Sequence, residues 1–225
     1  MLKRDPFGLQ RLCWPWIRWG RKQRDMVEAV RDARQTFVRS ANMMGKDFCA
    51  AYIAIAFFVC PEAFFDDRHN LEAWRFKSPE EKRPRRRIVT TSNTDDHLNV
   101  LWGEIGSMLA SAREPLLASK GGGLVMHSKE VRFADEWGAQ AGNVPNYLVG
   151  MVSNVEDKFS GHHAPWTLVM GDEASALSDG VQRMTANWAK RELWWGNPWP
   201  CTNFWRRGIE AGDLRVEDVG KRGVA

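Results

Sequence analysis

Residues 36–59, TFVRSANMMGKDFCAAYIAIAFFV, carry the clearest architectural pattern in the chain. A short β-favouring run opens the stretch, a polar loop closes on Gly45 and Lys46, and an apolar run suited to a helix follows. This order of strand, loop and helix is typical of a loop that binds nucleotide phosphates. Backbone N–H groups of the loop and of the helix N-terminus would face the anion, and Lys46 would reach its outer phosphates.

The loop departs from the usual phosphate-binding pattern at both ends. That pattern has glycine, four residues, Gly-Lys and then Ser or Thr. Ser40 stands at the first glycine and Asp47 at the final hydroxyl residue, so only Gly45 and Lys46 match. An ordinary helix N-terminus is therefore the alternative interpretation of this stretch alone.

Composition indicates a folded globular protein rather than a disordered or membrane-spanning one. The 225 residues suffice for one large domain or two small ones, and 44% are hydrophobic while 27% are charged. The apolar run 48–60 is too short to cross a bilayer. A net charge of +4 permits a polyanionic partner without requiring one.

The four cysteines indicate neither a zinc site nor a disulfide framework. Cys13, Cys49, Cys60 and Cys201 lie far apart and form no C-x-x-C pair. Their spacing therefore favours a reducing compartment.

Two basic segments flank the first motif. Residues 1–25 interleave Arg and Lys with Trp14, Trp16 and Trp19, so this arm would bind nucleic acid by charge and stacking, or its tryptophans would pack on the domain. Residues 61–86 are charged and run into KRPRRR at 82–87, which predicts an exposed insertion or long loop. Its cations would contact phosphates or remain solvated.

Strand-like and helix-like segments alternate along the rest of the chain. Residues 23–34 and 93–112 have helical periodicity, and Asn93 or Thr94 would cap the second helix. The strand-like runs are 87–92, 124–127, 131–133 and 147–153. This alternation predicts an α/β domain with a mostly parallel sheet.

Residues 166–178, WTLVMGDEASALS, form a second motif, in which an apolar strand runs into Asp172 and Glu173. Acids at the carboxyl end of a buried strand lie where open α/β sheets bind ligands. Asp172 would hold Mg²⁺ through water, and Glu173 would deprotonate the attacking water. A charged turn or a helix N-cap is the alternative. The two motifs together, in this order, favour nucleotide hydrolysis.

Two further residues would complete such a site. Asn197 follows a predicted strand at 190–195, in a Gly-Asn-Pro turn, and would hydrogen-bond a γ-phosphate or the attacking water. Gln23 precedes the first motif and would read adenine through its amide. An ordinary turn and a surface glutamine are the alternatives.

With these motifs assembled, the chain resembles the N-terminal ATPase domain of tailed-phage terminase large subunits, the DNA-packaging motors. The segments that carry the resemblance are VRSANMMGKDFCAAYIAIAFF (38–58), VTTSNTDDHLNVLWGEI (89–105), FSGHHAPWTLVMGDEASAL (159–177) and LWWGNPWPCTNFWRR (193–207). The resemblance implies an α/β P-loop NTPase of the RecA-like, additional-strand type, with a mostly parallel central sheet flanked by helices.

The resemblance also implies residue roles. Lys46, Glu173 and Asn197 would be catalytic, and Asp172 and Asp47 would hold Mg²⁺. The ATP-binding residues would be Gln23, Arg39, Ser40, Ala41, Asn42, Met43, Met44, Gly45, Lys46 and Asp47. The sequence does not identify the arginine finger: Arg39, Lys158 and Arg183 are candidates, and a neighbouring subunit could supply it instead.

The implied partners are those of a packaging motor in the host cytoplasm. They are double-stranded DNA, the portal of the procapsid, the small terminase subunit and further copies of this chain in a ring, with no membrane involved. The domain bounds would be 1–25 for the arm, 26–207 for the ATPase and 208–225 for a tail.

Two departures from the family bear on activity. Asp47 replaces a hydroxyl ligand. Asp213, Glu217 and Asp218 are too few to rebuild the family's nuclease site, so we expect no nuclease activity. The competing interpretations are a helicase-like P-loop ATPase and a degenerate nucleotide-binding protein without turnover.

Overall fold

Strands and helices alternate along the chain, as the sequence pattern predicts. The computed structural model describes residues 5–40, 45–78, 81–137, 146–153, 156–211 and 215–216. The α-helices are α1 (Gly8–Cys13), α2 (Arg21–Asp32), α3 (Lys46–Val59), α4 (Asp67–Arg75), α5 (Asp95–Ser111), α6 (Asp179–Ala186) and α7 (Phe204–Ala211). The strands are β1 (Gln35–Arg39), β2 (Arg86–Ser92), β3 (Leu124–His127), β4 (Glu130–Phe133), β5 (Tyr147–Val152), β6 (Trp166–Gly171), β7 (Arg191–Gly196) and β8 (Arg215–Val216).

Within the described ranges the strands form one sheet in the order β3-β4-β5-β2-β6-β7-β1-β8. All pairs from β5 to β8 are parallel, and only β3-β4 and β4-β5 are antiparallel. Strand β7 lies between β1, which leads into the first motif, and β6, which carries the second. The predicted mostly parallel sheet of the additional-strand type is therefore confirmed.

Helix α3 is the most buried helix of the described chain. Its residues from Cys49 to Phe58 are all inaccessible to solvent, since α2 and α5 lie against it and it packs on the sheet. A helix that is apolar on every side needs this covering, and burial of each large side chain contributes about 2 kcal/mol. Pro61 follows its last turn and prevents continuation. Of the helices in the described ranges, none has the length and apolar character needed to cross a membrane.

Helix α5 begins where the sequence predicts. The Thr94 side chain accepts a hydrogen bond from the backbone N–H of His97 at 3.4 Å, which satisfies one of the free donors of the first turn. Leu98, Leu101 and Ile105 then form a buried stripe that packs against α3. Capping and packing together fix the start of this helix beside the end of β2.

The described part of the predicted N-terminal arm packs on the domain. Trp14 is buried, and its indole Nε1 donates a hydrogen bond to the Met108 carbonyl at 3.0 Å. Its ring meets Tyr52 edge-on, with 6.0 Å between centroids. Trp16 remains exposed. The packing alternative therefore describes Trp14, whereas Trp16 is still accessible to a ligand.

The expected long loop over residues 61–86 instead contains a 3₁₀ helix, Pro61–Phe64, and helix α4. Phe64 and Phe65 are buried against the ring of Phe57. Charged residues outnumber apolar ones here, but the phenylalanine pair anchors the segment to the core.

The cations of the basic run Lys82–Arg87 are largely engaged within the protein. Lys82 and Arg83 form ion pairs with Asp135, and Arg85 pairs with Glu81. Arg86 is buried and donates to the carbonyls of Phe58 and Val59 at the end of α3. Burial lowers the pKa of Arg86 to about 10.

Candidate active site

Three neighbouring strands end together at one edge of the sheet. Ser40 follows β1, Asp172 follows β6 and Asn197 follows β7, and these strands are adjacent in the order β6-β7-β1. Parallel strands present their carboxyl ends at the same edge, where ligands of open α/β sheets bind. Lys46 opens helix α3 at this edge. The fold thus brings together the residues of the three sequence motifs.

The Lys46 ammonium group lies between the two acids of the second motif. Its Nζ is 3.2 Å from Asp172 Oδ1, 3.4 Å from Glu173 Oε1 and 3.7 Å from Asp47 Oδ1. The lysine is 8% exposed, and Asp172 and Glu173 are 4% and 9% exposed. Three acids thus surround one buried cation.

Burial and charge act on this cluster in opposite directions. For Lys46, burial lowers the pKa, but attraction to Asp172, Asp47 and Glu173 outweighs it, so the pKa is raised overall. For Asp172, burial is the largest effect and raises the pKa of the carboxyl despite the nearby Lys46. If a ligand drew the Lys46 ammonium group away, Asp172 and Glu173 would lose their counter-charge and would favour the binding of another cation.

The backbone at Glu173 is strained in a way that aims its side chain. Glu173 has φ 48° and ψ 48°, a left-handed conformation that costs a non-glycine residue about 1–3 kcal/mol. Asp172 Oδ1 accepts a hydrogen bond from the Glu173 N–H at 2.8 Å and holds this turn. Asn197 Nδ2 donates to Glu173 Oε1 at 3.3 Å. Asp172 therefore holds the Glu173 backbone, while Asn197 and Lys46 contact the carboxylate oxygen.

Ser40 and Gly45, the described residues that flank the middle of the predicted phosphate loop, lie at the end of β1 and at the start of α3. Ser40 is buried, and its N–H donates to the Gly196 carbonyl at 3.1 Å. Gly45 has φ 70°, and a Cβ there would lie 2.9 Å from the Gln23 amide nitrogen, so the position needs glycine. Ala41, Asn42, Met43 and Met44 lie outside the described residues. Arg39, the last residue of β1, is half-buried.

Asp47, which stands at the usual hydroxyl position, points towards the end of β7. Its Oδ1 accepts a hydrogen bond from the Trp195 indole at 3.2 Å. The side chain is 25% exposed, so it is the most accessible of the three acids around Lys46. A carboxylate anchored in this way could still contact a cation directly or through water, because each of its oxygens accepts more than one partner.

Gln23, the proposed adenine-reading residue, lies beside the phosphate loop. Its Oε1 accepts a hydrogen bond from the Gly20 N–H at 2.9 Å, which caps helix α2. The side chain also lines a narrow pocket with Met26, Gly45 and Cys49. The amide thus caps helix α2 and lies next to the candidate nucleotide site.

His97 lies at this edge and was not identified from the sequence. Its ring nitrogen, an Asp172 oxygen and a Glu173 oxygen all lie within 4.8 Å of one another. His97 is exposed and sits in the first turn of α5, after β2, which neighbours β6. The sequence signal for His97 is a titratable residue just inside the helix that follows a predicted strand. Whether such a residue lies near the two acids depends on the order of the strands in the sheet.

The remaining candidates are more scattered. Lys158 is exposed in a 3₁₀ helix, Glu156–Phe159, that packs near α6, and Arg183 is exposed on α6. Asp213, Glu217 and Asp218 lie outside the described residues. The arginine-finger prediction therefore stays a prediction.

The donor set at the sheet edge is suited to a divalent cation. Asp172 and Glu173 offer carboxylate oxygens, the ligands that Mg²⁺ prefers, and both are buried with a monovalent cation, Lys46, as counter-charge. A divalent ion bound to nucleotide phosphates would meet the same charge need when Lys46 turns to the phosphates.

Comparison with solved structures identifies the class of fold. The ATPase domain of the large terminase of Thermus phage P74-26 matches with a TM-score of 0.59 and 13% sequence identity, over 92% of this chain and 74% of that one. The large terminase of bacteriophage HK97 matches with a TM-score of 0.54 and 13% identity, over 92% of this chain and 40% of that one. Neither protein-family models nor curated protein sequences give a match.

These similarities confirm the predicted fold and the predicted resemblance. The chain has the fold of the ATPase domain of phage large terminases, and the similarity extends over most of its length. At this low identity the comparisons establish architecture. The assignment of individual residues depends on the geometry described above.

Proposed function

We propose that this chain is a Mg²⁺-dependent ATPase that drives double-stranded DNA into a phage procapsid. The observation that carries the proposal is the position of Lys46. Its Nζ lies 3.2 Å from Asp172 and 3.4 Å from Glu173, at the carboxyl edge of a sheet with large-terminase ATPase architecture. A lysine, two acids and the start of a helix at one point are the parts that phosphoryl transfer requires.

Lys46 would exchange one set of anions for another. In the structure its charge is balanced by Asp172, Glu173 and Asp47. The phosphates of ATP would attract the ammonium group towards the phosphate loop, where loop N–H groups and the N-terminus of α3 also face the anion. Departure of Lys46 would free Glu173 to act as a base.

Glu173 would accept the proton of the attacking water. The water oxygen would form a bond to the γ-phosphorus while the bond from that phosphorus to the β–γ bridging oxygen breaks, which leaves ADP and phosphate. The Asn197 amide, 3.3 Å from Glu173 Oε1, would hold the carboxylate in line. Because Asn197 directly follows β7, a change in this hydrogen bond on cleavage would be felt at the end of that strand.

Asp172 would hold Mg²⁺, with Asp47 contributing through water. The cation would neutralise charge on the β- and γ-phosphate oxygens. Asp172 is fixed for this role because its Oδ1 already accepts the Glu173 N–H at 2.8 Å.

The partners belong to the same proposal. The solved structures that share this fold are large terminases. Their similarity supports the proposal that this chain works in the host cytoplasm, in a ring of like chains, with double-stranded DNA, a portal and a small terminase subunit. The basic run Lys82–Arg87 gives little support to DNA contact, because its cations pair internally. Trp16 and the exposed arginines near it are better placed, since they lie on the surface.

Steady-state phosphate release tests the proposal. Wild-type protein is assayed alone, with blunt duplex DNA and with single-stranded DNA, and Glu173→Ala gives the blank. Release that depends on Glu173 and rises with duplex ends is expected. Equal stimulation by single strands would favour a helicase-like motor instead, and no release at any ATP concentration from folded protein would refute hydrolysis.

A nucleotide-binding domain without turnover is the second candidate. The Asp47–Trp195 hydrogen bond favours it, because a fixed carboxylate would repel phosphates where a hydroxyl would bind the cation. Asp47→Ser discriminates between the two candidates. Turnover that appears only in Asp47→Ser would support the degenerate site, whereas turnover in the wild type would exclude it.

A further inference from the structure

We infer that His97 supplies an imidazole nitrogen to the divalent cation of this site, together with Asp172. The site would therefore bind Mn²⁺ more tightly than an all-oxygen site does. The inference rests on the proposed function, because it concerns the cation that accompanies ATP.

The geometry places His97 within reach of the acids. A ring nitrogen of His97 and carboxylate oxygens of Asp172 and Glu173 lie within 4.8 Å of one another. Two ligand atoms that are each about 2.1 Å from one ion can be at most about 4.2 Å apart. The 4.8 Å bound is close to that range, so rotation of the exposed histidine ring could bring a ring nitrogen and an Asp172 oxygen onto one ion, and Glu173 would stay beside them as the base.

The backbone of His97 is fixed although its ring is exposed. Thr94 caps the first turn of α5 through the His97 N–H, and Asp95 in the same turn pairs with Lys129 at 2.9 Å. Leu98, the next residue, is buried. The ring therefore projects from an anchored turn, which suits a ligand that must close on an ion when nucleotide binds.

The donor chemistry points to a transition metal. Mg²⁺ prefers oxygen ligands and keeps several waters, whereas imidazole suits first-row transition metals. Among these, Mn²⁺ also accepts carboxylate and water, so it matches a set of one histidine and one aspartate. Asp47 stands where a hydroxyl ligand is usual, and its Oδ1 accepts the Trp195 indole N–H, so direct ligands at this site would come from Asp172 and His97.

Pulsed electron paramagnetic resonance of bound Mn²⁺ tests the inference without an activity readout. The full chain is loaded with Mn²⁺ and a non-hydrolysable ATP analogue, and the modulation caused by a directly coordinated imidazole nitrogen is recorded. We expect that modulation in the wild type and its loss in His97→Ala. His127→Ala, which removes an exposed histidine on β3 at the far edge of the sheet, is the control and should keep it.

Metal affinity provides the second measurement. His97→Ala should weaken Mn²⁺ binding in the presence of the analogue by about tenfold, and Mg²⁺ binding by less than twofold. His97→Asn keeps a polar side chain of similar reach, and its amide oxygen should restore part of the affinity but not the nitrogen modulation.

The failures of the two proposals are distinguishable. Nitrogen modulation that is absent in the wild type, or that persists in His97→Ala, would overturn the inference about His97. If Mn²⁺ and nucleotide still bind in that experiment, the proposed nucleotide site stands. Absence of any Mn²⁺–nucleotide complex, with folded protein, would refute both.

Discussion

The Lys46 cluster and the basic run Lys82–Arg87 both contain cationic side chains, but the groups that pair with those side chains differ. The Lys46 ammonium faces three carboxylates at the carboxyl edge of the sheet, where a competing anion can take their place. The cations of the run face acids and carbonyls that belong to the packed structure. On the proposed function, the buried Lys46 at the sheet edge would be available to phosphate, whereas a cation that anchors a segment would not.

Lys46→Ala should produce the largest effect, on nucleotide binding. Loss of the ammonium group should weaken binding of an ATP analogue by about a hundredfold or more, which corresponds to one or two charge-assisted hydrogen bonds to phosphate. Calorimetric titration measures it, thermal unfolding checks the fold, and Lys82→Ala is the matched control. Similar affinities for the two variants would remove the distinction between the regions.

Arg86→Ala should have the next largest effect, and it should fall on stability rather than on binding. Truncation would leave the Phe58 and Val59 carbonyls without their donor and would remove the guanidinium from the rings of Phe133 and Trp166. We expect a loss of about 3 kcal/mol in the free energy of unfolding.

Urea unfolding measures this loss, and the neighbouring Arg85→Ala serves as the comparison. Because Arg85 forms an exposed ion pair, its truncation should cost less than about 1 kcal/mol. Equal losses for the two arginines would contradict an anchoring role for Arg86.

Asp135→Asn should change the pH dependence of stability at acid pH. Arg83 and Lys82 lower the pKa of Asp135 from 3.8 to about 2. A carboxyl with a lowered pKa stabilises the fold above the unfolded-state value and loses that contribution as the pH falls through the folded-state value. The stability gap between wild type and Asp135→Asn should therefore be full above pH 4 and should close towards pH 2. A gap that stays constant over this window would exclude the ion pairs as its source.

Neutralising Lys82 and Arg85 together should have the smallest effect, on DNA binding. Each phosphate contact contributes about 0.9 to the slope of log affinity against log salt. Because both side chains pair internally, Lys82→Gln with Arg85→Gln should leave the slope unchanged. A drop of about two would show that the run contacts phosphates after all.

Short-range sequence patterns predicted the helices and strands that depend on interactions between residues close in sequence. The cap at Thr94, the apolar run of α3 and the strand that precedes Asp172 follow from short-range rules, and each forms within a residue or two of the expected place. The mostly parallel sheet followed from the alternation of these elements.

Features that depend on strand order were not predictable in the same way. His97 meets Asp172 only because β2 lies beside β6, and chain order does not reveal that neighbour. Arg86 is buried because the end of α3 offers it two carbonyls, although KRPRRR on its own is typical of a solvated segment. Both cases are tertiary contacts between segments remote in sequence.

Single-turnover hydrolysis by Glu173→Gln tests the central claim most directly. The substitution keeps a side chain that can accept the Asn197 hydrogen bond but removes the base. ATP binding should stay within about threefold of the wild type, while conversion of bound ATP to ADP should slow by about a hundredfold or more. Wild-type turnover in Glu173→Gln would contradict the assignment of this edge of the sheet as the site of hydrolysis.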